Sequence, residues 1–260
     1  MGVLFPSYFN SLNALPPSRE KIPRKPITTR KIMTRESNWI LNPSDFAFLW
    51  EECRRCFYLK VVSKFPRPRT PMPGVFRQID SQMREFYAGK QTNAAMPFLP
   101  AGTIDTSDSR VKSEPISLPG HDSTLTIRGV LDTLIRFDDT TFGVVDFKTL
   151  DPKREHTLLY SRQLHGYAVA LERAAHGSLC LSPVTKLGLV VFEPFAFLAR
   201  HDLSASLTGR LRWIEIARND ENFFTFLKEV LNTLELPEPP PSSLKCQWCR
   251  YRKTARTTGL

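Results

Sequence analysis

The sequence predicts an α/β fold whose N- and C-terminal parts are joined through a cysteine-ligated metal. Three observations predict it. Helical and two-residue hydrophobic periods alternate along the middle of the chain. The 260 residues are 41% hydrophobic and 11% aromatic, enough for one sizeable core with a small appendage. Two C-x-x-C pairs, Cys53/Cys56 and Cys246/Cys249, lie on either side of that core.

Residues 1–40 are Pro-containing and basic, with seven Lys/Arg against two acids, and are expected to form a flexible segment. They lack a secretory-type apolar stretch, and organellar targeting by them is a weaker reading than a cytoplasmic or nucleoid-associated location. Asn42-Pro43-Ser44-Asp45 signals helix entry, because Ser or Asp side chains can cap free backbone N–H groups. A helix over about 45–62 is expected, with Phe46, Leu49, Trp50, Cys53 and Phe57 at helical spacing. Four prolines over 65–74 forbid helix interior there. Phe76, Ile79, Met83 and Phe86 then predict a helix over about 75–88, while 91–114 reads as polar and irregular.

From Ser123 the period becomes two. One strand runs through Leu125, Ile127, Leu131 and on to Leu134, Asp138-Asp139-Thr140 marks a turn, and Phe142–Thr149 returns as a second strand. A helix over about 158–175, strands at 186–192 and 210–216, and a helix over 223–234 follow. Pro237 to Ser243 reads as a linker. The expected division is a segment 1–40, a core 41–236 and a basic C-x-x-C tail 237–260. No apolar run reaches 18 residues, so no membrane-spanning helix is expected.

Charge is concentrated at the two ends. The net +10 divides into +5 over residues 1–40 and +5 over 245–260, leaving the middle neutral. Such ends suit a polyanion, or serve only to solubilise.

The chemistry gathers in Val145-Asp146-Phe147-Lys148-Thr149. Strand geometry puts Asp146 and Lys148 on one face, where an unpartnered buried charge is costly. A hairpin could bring Asp132 beside Asp146. Two converging carboxylates suit a hard cation, Mg²⁺ or Mn²⁺, that holds a phosphate and activates water, with Lys148 orienting or deprotonating that water. The plain reading is an Asp146–Lys148 ion pair and an unrelated turn aspartate.

In order and spacing, Gly129-Val130-Leu131-Asp132, the Asp146-Phe147-Lys148-Thr149 run and Gln163-Leu164-His165-Gly166-Tyr167 resemble the RecB-like branch of the PD-(D/E)XK nucleases. The resemblance implies a restriction-endonuclease-like core, a mixed central β-sheet flanked by helices, acting on DNA as single strands or ends. It also implies Asp132, Asp146 and the Phe147 carbonyl as metal ligands, Lys148 as catalytic, and Gln163 and Tyr167 as supports for the lysine or the nucleic acid. Such enzymes carry a further acid or His on an upstream helix. Here Gly74 is followed four residues later by Gln78, leaving Asp80, the first choice, and Glu85 as candidates. His121 and His165 are not expected to be ligands.

Each C-x-x-C pair can direct two thiolates to one centre, as a tetrahedral Zn²⁺ or an iron-sulfur cluster requires. Leu41 to Leu59 is similar to the cluster helix of iron-sulfur nucleases of the CRISPR-adaptation and AddB types, which implies a [4Fe-4S] cluster, and repair or CRISPR-adaptation proteins as partners. Those relatives place one cysteine here and three near the C-terminus, whereas this chain has two and two. Basic residues around both pairs, with Trp248 and Tyr251, form a candidate surface for stacked bases. Cys180 is expected as a buried small hydrophobe. The competing readings are a catalytically inactive nucleic-acid-binding or assembly module of the same fold, and a zinc-stabilised RNA-binding protein.

Overall fold

The structure, a computed structural model, describes residues 37–68, 74–149 and 154–258. The expected basic segment lies outside the described residues except at its end. At that end β1 (Asn38–Leu41) runs parallel to the strand at Thr124–Leu131, with Leu41 buried.

The expected first helix is divided. A π-helical turn, Asp45–Leu49, continues as α1 (Trp50–Glu52), the chain becomes extended at Cys53 (φ −165°, ψ 106°), and α2 (Arg54–Val61) follows. Ser44 makes no capping bond, and Asp45 instead pairs with Lys60 at 2.6 Å. The break re-aims the Cys53 thiol toward Cys249, which a continuous helix would not do. Next come α3 (Gly74–Tyr87), α4 (Thr92–Ala95), β2 (Gly102–Asp105), β3 (Ser109–Lys112) and β4 (Ile116–Ser117). The stretch 91–114 is therefore not irregular. Its strands are only four residues long and half exposed, too short for periodicity to reveal.

The strand expected over 125–134 is two strands, β5 (Thr124–Leu131) and β6 (Thr133–Phe137). The chain changes sheet between them, at Asp132. β5 pairs with β1, β3 and β4, whereas β6 pairs with β2 and β7 (Phe142–Thr149) in a five-stranded sheet ordered β2-β6-β7-β8-β9. After β7, α5 (Arg154–Glu172) crosses over to β8 (Val184–Ala199), which is parallel to β7, and β9 (Ala205–Ile216) returns antiparallel. A helix is the usual way to join two parallel strands. The sheet is thus mixed and flanked by helices.

β8 and β9 run well past the strands expected from hydropathy. Their outer halves are solvated, with Phe195, Phe197 and Leu207 exposed, and Pro194 and Gly209 interrupt the alternation. α6 (Asp220–Leu234) and α7 (Gln247–Thr257) complete the chain.

The five-stranded sheet separates two cores, and β7 alternates between them. Val144 joins α5 and α6 residues such as Leu164, Leu171 and Leu227, while Val145 and Phe147 pack with Tyr87, Ile104 and Ile135 beneath α3. Each such buried side chain contributes about 1.5–3 kcal/mol. Around Phe46, Phe223 and Phe226, edge-on ring contacts lock the π-helical turn to α6.

Candidate active site and cysteine centre

The β6–β7 pairing sets Thr133 opposite Val145, so the same register puts Asp132 opposite Asp146. The turn between the strands holds that register: Asp139 accepts hydrogen bonds from the Thr141 backbone and hydroxyl, and Thr140 takes a positive φ of 69°. Asp132 sits in the bend where the chain leaves one sheet for the other, so its carboxylate lies at a sheet edge, half exposed.

Asp146 is buried, and Lys148, two residues along the same face, donates to its Oδ1 at 2.7 Å and lies 2.7 Å from its Oδ2. The third carboxylate comes from α3, where Asp80 accepts a hydrogen bond from the Thr149 hydroxyl at 2.9 Å. Asp80, Asp132, Asp146 and Lys148 line one cavity of about 560 Å³, along with Arg84 and Phe147. Glu85, the other upstream candidate, is exposed and does not line it. The Phe147 ring stacks on Tyr87.

Burial pushes all three carboxyl groups up. For Asp132 the neighbouring Asp146 charge adds to the effect, and Lys148 and Arg84 offset it only in part. Three acids that line one cavity and repel one another, with too little positive charge beside them, form a site that a divalent cation would relieve. Asp146 Oδ2 also receives no aligned hydrogen bond among the described residues, which suits a metal-facing oxygen.

The α5 residues differ from expectation in detail. The Tyr167 hydroxyl donates to the Val130 carbonyl at 2.7 Å and its ring packs on Gly129, where a Cβ would lie 3.0 Å from ring carbon Cε1. Tyr167 thus braces β5 just before Asp132, and Gln163 hydrogen-bonds that tyrosine. The aromatic beside Lys148 is instead Tyr160, 5.4 Å from Nζ. Sequence reasoning missed Tyr160 and Arg84. The signals were there: Arg84 lies four residues after Asp80, and Tyr160 three before Gln163, each on a shared helix face. His121 and His165 are occupied by protein groups, Glu235 for the first and Ser161 and Asn219 for the second.

The four cysteines of the two pairs converge, all four Sγ atoms within 4.8 Å of one another. Cys53–Cys249 and Cys56–Cys246 are 3.8 Å apart and Cys56–Cys249 3.5 Å. α7 has no buried residue of its own, and Cys246 begins it as its extended N-cap. Arg67 donates to the Cys246 sulfur at 3.2 Å. Burial opposes ionising Cys53, yet backbone N–H groups around Ser243 and Cys56 outweigh it and lower the thiol to about 7. Burial and the neighbouring sulfurs push Cys249 the other way. Four thiolates cannot coexist at this spacing without a cation, so the donor set fits a metal. Four sulfurs each about 2.3 Å from one tetrahedral ion would lie roughly 3.8 Å apart. Cys180 is exposed, contrary to expectation, because the loop before β8 leaves it outside both cores.

The profile described as "PD-(D/E)XK nuclease superfamily" matches residues 72–254. No curated protein matches. The solved structure described as "Crystal structure of SSO0001" is 14% identical, with 82% of each chain covered and a TM-score of 0.42. No helix among the described residues is long and apolar enough to cross a membrane.

Proposed function

The chain belongs to the PD-(D/E)XK nuclease superfamily, and on that premise we propose that it hydrolyses DNA phosphodiester bonds, in single strands or at ends, with a divalent cation. The observation that carries this reading is the convergence of Asp80, Asp132, Asp146 and Lys148 from three parts of the fold on one open cavity. Asp80, Asp132 and Asp146, with the Phe147 carbonyl, would hold Mg²⁺ or Mn²⁺. Bound there, the cation would lower the pKa of a water and neutralise charge developing on the phosphate. Lys148, held by Asp146 and flanked by Tyr160, would orient that water and stabilise charge building on the phosphate. Arg84, paired with Asp108 at 2.7 Å and 3.9 Å from Asp132, would help steady the phosphate. Tyr167 and Gln163 keep the β5 end in place.

The test is cleavage of labelled single- and double-stranded DNA with Mg²⁺ or Mn²⁺, by wild type, Asp146→Asn and Lys148→Ala. Wild type should cleave only with metal, and each variant should lose about 100-fold or more. Equal rates in all three would refute the catalytic assignment and leave a nucleic-acid-binding or assembly module.

For the cysteine centre, resemblance favours [4Fe-4S], while a specific observation favours Zn²⁺. A four-iron cube gives each sulfur a different iron and so spreads the sulfurs, whereas those here sit at single-ion spacing. Iron, sulfide and zinc content of anaerobically purified protein separates the two. We further propose that residues 41–236 form the nuclease core and that 237–260 is an appendage held by this centre.

A further inference from the structure

A second cavity of about 560 Å³ lies beside the cysteine centre, with Cys246 and Cys249 in its wall. Five cations line it, Arg55, Arg250, Arg252, Lys253 and Arg256, and no carboxylate does. Arg55 is already engaged, donating to the Pro239 and Pro240 carbonyls and so pinning the linker. Arg250, Lys253 and Arg256 make no ion pair among the described residues. Arg252 lies 4.6 Å from the Phe65 ring, with both Nη atoms shut off from solvent and no hydrogen-bond partner among the described residues.

A guanidinium so placed is costly unless an acceptor meets it. The thiolates of the centre are nearby anions, and Arg67 already serves them. Arg256, however, is seven residues beyond Cys249, roughly 10 Å along the helix, too far to be their counter-ion. Spacing explains how the cavity is built. Positions 246, 249, 253 and 256 recur every three or four residues, so the face of α7 that delivers two cysteines also delivers Lys253 and Arg256.

We infer that this cavity binds a phosphate-bearing nucleotide of a single nucleic-acid strand, its phosphate on Lys253 and Arg256, with Arg252 turning from the Phe65 ring to reach it and the base taking that guanidinium's place on Phe65. Free guanidinium and ammonium groups around an apolar, partly aromatic pocket are the elements of sequence-independent strand binding. Its size is that of a small-ligand site. The strand is taken to be the substrate of the proposed nuclease, so the inference rests on that reading. It adds a second anchor lined by residues wholly different from those of the carboxylate cavity.

The experiment is equilibrium binding of a fluorescent single-stranded oligonucleotide to full-length protein carrying Asp146→Asn, across a salt series and in competition with adenosine monophosphate. The Lys253→Gln/Arg256→Gln double variant should bind about tenfold more weakly, and the log–log salt slope should fall by about one per cation removed. Both side chains are exposed, so the variant should keep its metal content and thermal midpoint. Arg252→Gln should lose comparable affinity, and adenosine monophosphate should displace the oligonucleotide from the parent only. Unchanged affinity and slope in both variants overturn the inference. Variants that lose the mononucleotide but keep the oligonucleotide assign the cavity to a free nucleotide and overturn the strand assignment. Because binding is read in a protein lacking the Asp146 carboxylate, its outcome is independent of whether the wild type cleaves DNA.

Discussion

Stripping the cysteine centre should loosen the C-terminus first and then lower the stability of the whole chain. Cys53 and Cys249 are 196 residues apart, so a metal joining them closes nearly the entire core into a loop. In the loop-entropy account of a cross-link, a loop of that length restricts the unfolded chain by about 5 kcal/mol. For a chain of this size each kcal/mol moves the thermal midpoint by about 2–4 °C, so metal removal should lower it by about 10–20 °C. Native contacts compensate little at α7, which has no buried residue and packs through Cys246, Cys249, Trp248 and Arg252. Calorimetry of metal-loaded, chelator-treated and Cys249→Ser protein measures the midpoint, and hydrogen exchange over 247–257 reports the local release. Equal midpoints and unchanged protection of α7 would refute the reasoning, by showing that the tail is held without the metal.

Two other predictions follow from packing. Burial holds His165 neutral and its pKa below the ordinary 6.5, so its contribution to stability is complete above that value and is lost as pH falls from there through the lower folded value; thermal midpoints from pH 8 to 5 should fall more steeply in wild type than in His165→Gln. At Gly188 an added methyl group would collide with the Trp213 indole, so Gly188→Ala should cost about 2 kcal/mol in urea unfolding and shift the tryptophan fluorescence.

The parts of the site legible in the sequence are those set by short-range geometry. A period of two puts Asp146 and Lys148 on one face, and turn residues at 138–140 fold Asp132 back toward them. Two-residue gaps mark the cysteine pairs. Asp80, the first choice, and Glu85 lie on one helix, and the seating of α3 against β7 brings Asp80 to Thr149 at the cavity. Tyr160 shares a helix face with Gln163, but only the packing of α5 against β7 brings its ring beside Lys148. Spacing singled out Tyr167 as a support for the lysine or the nucleic acid, but its hydroxyl partner, the Val130 carbonyl, lies 37 residues away.

Sequence by itself determined the α/β class, the superfamily motifs and the four cysteines, because period, turn chemistry and ligand spacing act over a few residues. Tertiary structure alone decided that the chain breaks at Asp132 to change sheets and at Cys53 to aim a thiol. It also decided that 91–114 supplies an edge strand, that the β8–β9 hairpin runs on into solvent, and that Asp80 lines the same cavity as Asp132 and Asp146. Each of these depends on hydrogen bonds and packing between segments far apart in sequence, whose energy exceeds the local preferences that a one-dimensional reading can weigh.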